Sequence, residues 1–335
     1  MSTVYGPVPS WRFGRSLGID VIMGPKMCTF NCIYCQLGKT VVKISEPGEV
    51  KSYVSVEAVE KHLKRYVNEV DLSSIDVITF SGSGEPTLNP DLGKTVDRVR
   101  RLIGEETPIV LLTNSSLFYK DKVRENVSKF DVVAAKFDAG DEKAHRTINR
   151  PIGEMPNLKD TKESIKKLKE EMSGKLMIQT MFLHTTFGFT NCEGDNLKNL
   201  INTLIDIEPD VIQIDTPYRP GGEKFVKPAS VDELKTIARK FEDYLGKRGR
   251  RSDLWVFGIH DMRGRKVSWT KHASVPDEIM ELLKRRPCRA VDMADSLGIS
   301  YKETLKNLRE LLGGGLIVEK TSNGEKYYQP SIRCV

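Results

Sequence analysis

The chain has 335 residues, of which 39% are hydrophobic and 29% are charged, with a mean hydropathy of −0.37. This length allows one large domain and a small one, and no apolar run approaches the about 18 residues that cross a bilayer, which argues against a membrane protein. The first residues lack the apolar segment of a secretory signal, so we expect a cytoplasmic protein without membrane contact.

Positive charge is concentrated in two zones of the chain. The net charge is +6, and residues 247–271 contain eight Lys and Arg against two Asp, which equals the whole excess. Residues 1–43 add five basic side chains against one acidic side chain. Such zones on an otherwise balanced chain indicate an anionic partner, and the alternative is an ordinary solvated surface.

Between residues 19 and 246, short apolar runs rich in β-branched residues alternate with longer amphipathic segments. The apolar runs predict strands at 19–23, 77–80, 109–113, 132–136, 176–182 and 211–215. The amphipathic segments predict helices near 56–70, 91–103, 120–129, 159–172, 193–207 and 230–245. Strand–helix units of this kind form a parallel sheet covered by helices. Six units either curl into a partial (β/α)6 TIM-like barrel or lie flat, and a further run at 254–258 would extend the edge.

The polar motifs favour the barrel, because each of them directly follows a predicted strand. In chain order they are a cysteine loop, SGSGEPT, NSS, FDAGD, HTT and TPYRP. The loops at the carboxyl ends of barrel strands converge on one mouth, whereas a flat sheet gathers ligands only where its strand order reverses. We therefore predict an α/β fold with a partial barrel.

The chain changes character after the second basic zone. Three helices are predicted at 276–286, 289–297 and 300–312, followed by a hairpin that turns at Asn323–Gly324. Asn-Gly favours a two-residue hairpin turn, and three helices followed by a hairpin is the order of a winged helix-turn-helix. The predicted regions are a partial barrel over 1–250, a basic linker over 251–272 and a winged helix-turn-helix domain over 273–335.

Three of the six cysteines, Cys28, Cys32 and Cys35, fall within eight residues with the spacing C-x3-C-x2-C. Three thiolates this close can each bind one iron of a cubane cluster, which leaves the fourth iron without a protein ligand. S-adenosylmethionine (SAM) can chelate that iron, and an electron from the [4Fe-4S] cluster then cleaves SAM to a 5′-deoxyadenosyl radical. The alternative is a zinc site, which needs a fourth close ligand that this loop lacks.

This motif, with Tyr34 as its aromatic residue, resembles that of the radical SAM superfamily, whose partial barrel is similar to the six units predicted above. Within the superfamily, the chain resembles the family grouped with the archaeal wyosine-base (tRNA) synthases, members of which often end in a winged helix. The segments that carry this resemblance are YGPVPSWRFGRSLGID, CTFNCIYCQLGKT, FSGSGEPTLNPDLG, KFDAGDEKAHRTINRP and QIDTPYRP.

The resemblance implies which residues contact SAM. They are Tyr34, Gly82, Ser83, Gly84, Glu85, Asn114, Ser115, Lys136 and Asp138. The tyrosine would contact adenine largely through its backbone, and the glycine-rich stretch would receive the amino group of SAM. The polar pair after the third strand would meet the methionyl or ribose groups. The pair after the fourth strand would meet the carboxylate and the ribose hydroxyls.

The same ends of the strands supply candidates for catalysis and for substrate contact. The candidate catalytic residues are Lys136, Asp138, Asp215 and Arg219. Further candidates for substrate contact are Arg12, Arg15 and Arg150, and candidates for proton transfer are His145 and His184. Arginines at a barrel mouth suit phosphate or carboxylate groups, and the alternative is that they pair with local acids.

The basic linker and the C-terminal domain bear on the substrate. We expect radical modification of a nucleic acid, with tRNA favoured over DNA, and an electron donor such as ferredoxin or flavodoxin. Two alternatives stay open: modification of a protein or peptide, and a DNA-binding regulator that senses iron–sulfur status or SAM. No cysteine precedes Cys28, so we do not expect the second cluster of the wyosine-base synthases. Cys192, Cys288 and Cys334 are too dispersed for one, although Cys334 could act in methyl transfer.

Overall fold

The structure, a computed structural model, describes residues 2–49, 53–69, 72–260 and 274–331. The strands are β1 (Val4–Ser10), β2 (Gly14–Asp20), β3 (Met27–Cys28), β4 (Val42–Lys43), β5 (Val77–Ser81), β6 (Ile109–Thr113), β7 (Val132–Lys136), β8 (Lys175–Met181), β9 (Leu183–Thr185), β10 (Val211–Asp215), β11 (Val226–Pro228), β12 (Asp253–Val256), β13 (Ile317–Ser322) and β14 (Glu325–Pro330). The helices are α1 (Val56–Glu69), α2 (Leu92–Ile103), α3 (Asp121–Val127), α4 (Glu142–Ile148), α5 (Leu158–Glu171), α6 (Gly194–Ile207), α7 (Val231–Lys247), α8 (Val275–Leu283), α9 (Ala290–Leu297) and α10 (Tyr301–Gly313). None of these helices is long and apolar enough to cross a bilayer.

Eight strands form one sheet in the order β1-β2-β5-β6-β7-β8-β10-β12. β1 runs antiparallel to β2, and every other neighbouring pair is parallel. The predicted strands from 77–80 onward match observed strands to within one residue, and the run at 254–258 is present as the edge strand β12. The α/β prediction is confirmed.

The first predicted strand was wrong in its bounds. It was placed at 19–23, whereas β2 ends at Asp20. The glycines of β2 interrupt the apolar pattern that would have predicted this strand. Glycine is required at position 18 because a Cβ there would overlap the ring of Tyr5. The apolar residues that follow bury the start of the cysteine loop, where Val21 and Ile22 are fully buried. β1 was not predicted, because it contains two prolines and proline in a sequence argues against a strand. Proline is tolerated here because β1 lies at the edge of the sheet.

The sheet curls until its two edges approach each other. Apolar side chains from successive strands meet in one cluster, formed by Phe13, Val77, Val110, Ala134, Met177 and Val211. From the β1–β2 turn, Phe13 contacts Trp255 and Trp11 contacts Phe257, with ring centroids 6.2 and 5.7 Å apart. A flat sheet would separate these edges by about 34 Å, at about 4.8 Å per strand. The fold is therefore the predicted partial barrel.

The helices cover the outer face of the barrel and form the main apolar core with it. Phe80 of β5 and Ile178 of β8 are fully buried in this core, as are Leu63 of α1 and Phe241 of α7. Because the strands are covered on both faces, their sequences are mostly apolar. The polar side chains that line the mouth, such as Lys136 and Asp215, lie at the carboxyl ends of the strands.

Residues 274–331, here called the C-terminal unit, contain α8–α10 and the β13–β14 hairpin. The bounds match the predicted helices to within three residues, and Asn323 and Gly324 have the positive φ angles, 52° and 78°, of a tight hairpin turn. The identity of this unit as a winged helix and the division of the chain at 272 stay predictions. Most of the predicted basic linker, from residue 261 onward, lies outside the described residues.

The C-terminal unit packs directly on the barrel. Val8 of β1 shares an apolar cluster with Ile279 of α8 and Met293 of α9. Asp20, at the carboxyl end of β2, forms a buried ion pair with Arg285, with Oδ2 and Nε 2.8 Å apart. The unit therefore covers one side of the barrel mouth.

Candidate active site at the barrel mouth

The cysteine loop connects β2 to α1 and lies over the carboxyl ends of the strands. Cys28 belongs to the short strand β3 and is buried, whereas Cys32 and Cys35 are half-buried. Burial raises the pKa of the Cys28 thiol well above its ordinary value, and burial with the neighbouring Cys35 raises the pKa of Cys32 to about 11. Thiols in such surroundings ionise readily only when a metal cation binds them.

Hydrogen-bond donors and a buried cation surround the three sulfurs. The side-chain amides of Asn114 and Asn149 lie 3.5 Å from Cys28 Sγ and 3.6 Å from Cys32 Sγ. Burial lowers the pKa of Lys26, but its attraction to the three cysteines outweighs burial and raises that pKa overall. Donors and charges of this kind stabilise iron–sulfur clusters and set their potential.

The donor set fits a [4Fe-4S] cluster better than a single metal ion. Within the described ranges, no group of three or more His, Cys, Asp or Glu is arranged to hold one ion. A cubane takes each thiolate on a different iron and accepts separated sulfurs, whereas zinc draws four ligands into one tetrahedron. Cys28, Cys32 and Cys35 therefore suit the cluster.

The glycine-rich stretch after β5 packs against the cysteine loop. Met27 N donates to Ser83 O (2.8 Å), and Glu85 N donates to Met27 O (3.0 Å). A Cβ at Gly84 would overlap the carbonyl oxygen of Met27, and one at Gly82 would lie 2.9 Å from Ile22 O. These glycines are thus required by contact between two protein loops, and their contact with SAM stays a prediction.

Glu85 links the ends of β5 and β6. Its buried carboxylate accepts hydrogen bonds from Thr113 Oγ1 (2.6 Å), Asn114 N (2.7 Å) and Thr87 Oγ1 (2.7 Å). Burial raises the pKa of Glu85 although these donors oppose the rise. The carboxylate is satisfied within the chain, and it holds Asn114 in place beside Cys28.

Lys136 and Asp138 lie together at the carboxyl end of β7, with Nζ and Oδ1 3.6 Å apart. Asp138 accepts hydrogen bonds from Tyr34 Oη (2.5 Å), Asn149 Nδ2 (2.7 Å) and Met181 N (2.8 Å). Burial, followed by the charge of Asp138, raises the pKa of Tyr34. Asp138 thus braces the cysteine loop against the barrel. Ser115, with φ 62°, donates to the backbone oxygen of Lys136 (2.7 Å).

A cavity of about 230 Å³ opens at the mouth beside the cysteine loop. Its polar lining includes Arg12, Tyr34, Cys35, Lys136, Gln179, Asp215, Arg219 and Arg286. Gln179 Nε2 donates to Asp215 Oδ2 (2.7 Å), and burial raises the pKa of Asp215 although Arg12 opposes the rise. The cavity thus brings three of the four predicted catalytic residues to one space.

Other predicted contacts lie elsewhere. The prediction of Arg15 as a residue of the mouth was wrong. Arg15 lies at the amino end of β2, opposite the mouth, where it pairs with Asp76 (2.9 Å). Arg150 pairs with Glu223 (2.7 Å). His184 lies 2.8 Å from Glu233, and His145 is buried, which lowers its pKa. Cys334 lies outside the described residues.

Four residues of the site were not found from the sequence: Lys26, Asn149, Gln179 and Arg286. Asn149 lies next to Arg150 in the sequence INRP (148–151), but only Arg150 was predicted as a site residue. Arg286 follows a helix far along the chain, so only its packing on the barrel brings it to the mouth.

Comparisons with known proteins show what this chain is similar to. The radical SAM superfamily model matches residues 24–193. A UPF0026 protein of Methanocaldococcus jannaschii is 29% identical over 99% of this chain and 97% of that protein. A UPF0026 protein of Helicobacter pylori is 30% identical over 92% of this chain and 93% of that protein. A solved structure described as native anSMEcpe with bound AdoMet has a TM-score of 0.48 and 16% identity, covering 70% of this chain and 63% of that one.

Proposed function

Because this chain belongs to the radical SAM superfamily and to its UPF0026 proteins, we propose that it uses a [4Fe-4S] cluster and SAM to modify a nucleotide in RNA, with tRNA as the best-suited substrate. When bound, the reduced cluster supplies the electron that cleaves SAM to start radical chemistry. Cys28, Cys32 and Cys35 hold the cluster. A low-potential protein such as ferredoxin or flavodoxin is the proposed electron donor.

The residues of the mouth position and shield the reaction. Asp138 holds Tyr34 and therefore the cysteine loop in one orientation. Lys136 and Asp215 place opposite charges in the cavity, where they can orient SAM and the substrate. The C-terminal unit covers the mouth beside Arg286 and limits the access of water to the cavity.

The observation that carries the RNA proposal is the exposed basic face of α10. Lys302, Lys306 and Arg309 are exposed at helical spacing on one side of this helix, where they outnumber the exposed acid beside them, Glu310. In the described part of the chain they make no ion pair, and Tyr301 beside them is 56% exposed. Unpaired cations bind phosphates, and an exposed aromatic ring can stack on an unpaired base. In this proposal α10 acts as the recognition helix of a winged helix.

The basic zone at 247–271 supports the proposal less than its charge indicated. In its described part, Arg248 donates to Asn202 (2.9 Å) and Arg250 pairs with Glu208. Both arginines lie just before β12, at the end of the barrel opposite the mouth. The α10 face is therefore the proposed RNA contact.

Binding of bulk tRNA at increasing salt tests this proposal. The triple variant Lys302→Ala, Lys306→Ala, Arg309→Ala should bind more weakly, with a salt slope reduced by about two to three, because each lost phosphate contact releases one counterion fewer. SAM cleavage in the absence of substrate should stay unchanged.

The matched control removes three cations from the outer helix α7, with Lys235→Ala, Arg239→Ala and Lys240→Ala, and should bind tRNA as the parent does. Equal losses in both triple variants would show a non-specific charge effect and contradict the proposal. Absent or salt-indifferent binding would favour a protein or peptide substrate. A cluster that leaves SAM intact would favour a regulator.

A further inference from the structure

We infer that the C-terminal unit completes an anion site inside the barrel cavity, in which Arg286 acts with Arg12 and Arg219 to bind a phosphate group of the substrate. The phosphate is taken to be that of a nucleotide, so the inference rests on the proposed function. Arg286 lies outside both the cysteine motif and the barrel, and the inference assigns it a role in binding.

Three guanidinium groups reach the cavity from three separate segments. Arg12 lies in the β1–β2 turn, Arg219 follows β10, and Arg286 follows α8. Lys136 adds a fourth cation, and Asp215 is the sole carboxylate among the residues that line this cavity. The lining therefore carries an excess of positive charge that attracts an anion.

Within the described part of the chain, two of these guanidinium groups have a buried nitrogen without a hydrogen-bond acceptor. Nε of Arg219 and Nη2 of Arg286 have no hydrogen-bond acceptor among the described residues. Burial also lowers the pKa of Arg12, although Asp215 opposes the change. Buried donors without acceptors are unfavourable, and a bound anion would supply the acceptors.

The arginines are held in place before any ligand binds. Arg219 lies over the ring of Tyr218 (4.6 Å), which stacks on Phe257 (4.4 Å between centroids). Arg285, next to Arg286, donates to Asp20 (2.8 Å) and to Ser2 O (2.8 Å), which fixes the end of α8 on the barrel. The hydrogen bonds of Arg285 are made to the protein itself. Of these two arginines, only Arg286 lines the cavity.

The geometry suits a phosphate better than the carboxylate of SAM. A carboxylate has two oxygens and one charge, which a single arginine fork can satisfy. A phosphate offers more acceptor oxygens and up to two charges, which match guanidinium groups arriving from several directions.

Pyrophosphate is the probe for this site, titrated calorimetrically into cluster-loaded protein saturated with SAM. We expect one binding event per chain, weakened about tenfold or more by Arg286→Met and by Arg219→Met. Arg286→Lys keeps the charge without the fork and should bind with intermediate affinity. Lys284→Met removes an exposed cation from the same helix end and should bind as the parent does.

Two results would overturn the inference. One is pyrophosphate affinity that Arg286→Met leaves unchanged in folded protein, judged by its thermal unfolding. The other is pyrophosphate binding that is seen without SAM and lost when the protein is saturated with SAM, because the arginines would then hold the carboxylate of SAM. Pyrophosphate binding that depends on Arg286 in a protein with no affinity for tRNA would keep the anion site and reject the RNA proposal.

Discussion

Lys26 places a buried positive charge beside all three cysteine ligands. A positive charge near a cluster favours the reduced, more negative state, so Lys26→Met should lower the reduction potential of the cluster by on the order of 100 mV. A redox titration followed by electron paramagnetic resonance measures the change.

Lys39→Met is the matched control, since Lys39 is exposed on the same loop and screened by water. Its potential should stay close to that of the parent. If both variants shift the potential equally, the burial of Lys26 has no special role.

At the scale of residues, the sequence predicted the three cysteines because cluster ligands on one loop need a fixed spacing. It could not predict Asn114 and Asn149 as donors to the sulfurs. They come from two other segments, and only the folded barrel brings their amides within 3.6 Å of the sulfurs.

At the scale of elements, the glycine-rich stretch and the cysteine loop behave as one assembly. Gly84→Ala should prevent their close packing, because a Cβ there would overlap Met27 O and the φ angle of 147° is unfavourable for alanine. We expect a loss of about 3 kcal/mol in the free energy of unfolding and a lower content of iron and sulfide per chain.

Gly246→Ala serves as the comparison, since a Cβ in α7 would meet nothing within 4 Å. It should be neutral or raise stability by up to about 1 kcal/mol. Full iron content in Gly84→Ala would show that the two loops can separate without losing the cluster site.

Most elements were predicted from apolar runs and helical periodicity, because buried parallel strands have almost continuously apolar sequences. The short elements β3, β4, β9, β11 and α4 were not predicted. In the main sheet, β1 was missed and the bounds of β2 were wrong, since an antiparallel edge strand with prolines and a strand with two glycines lack a continuous apolar run. Their pairing is set by tertiary contacts such as Tyr5 against Gly18.

At the scale of the whole molecule, the ion pair between Asp20 and Arg285 joins the barrel to the C-terminal unit. Both side chains are at most 10% exposed. Arg285→Met should lower the free energy of unfolding by about 3 to 5 kcal/mol in denaturant titrations, because it leaves a buried carboxylate without its partner.

The double variant Asp20→Asn, Arg285→Met should recover part of that loss, because no charge is then left unpaired. Lys284→Met, next to the pair but exposed, should change stability by less than about 0.5 kcal/mol. A double variant that is destabilised by the sum of its parts would mean that the two residues act separately.

The sequence predicted two parts and a linker between them, and it missed that the parts pack together at the active site. No local sequence pattern indicates a contact between two residues that are 265 positions apart, such as Asp20 and Arg285. For the same reason the sequence around Arg286 is that of an ordinary helix end.

The order of synthesis gives this long-range contact a biological consequence. A ribosome adds the cysteine loop and every strand of the main sheet to the chain before it adds Arg285. Until then the C-terminal unit cannot cover its side of the barrel mouth. The cavity therefore gains Arg286, its contribution from the C-terminal unit, only after the last helices have been made and have packed on the barrel.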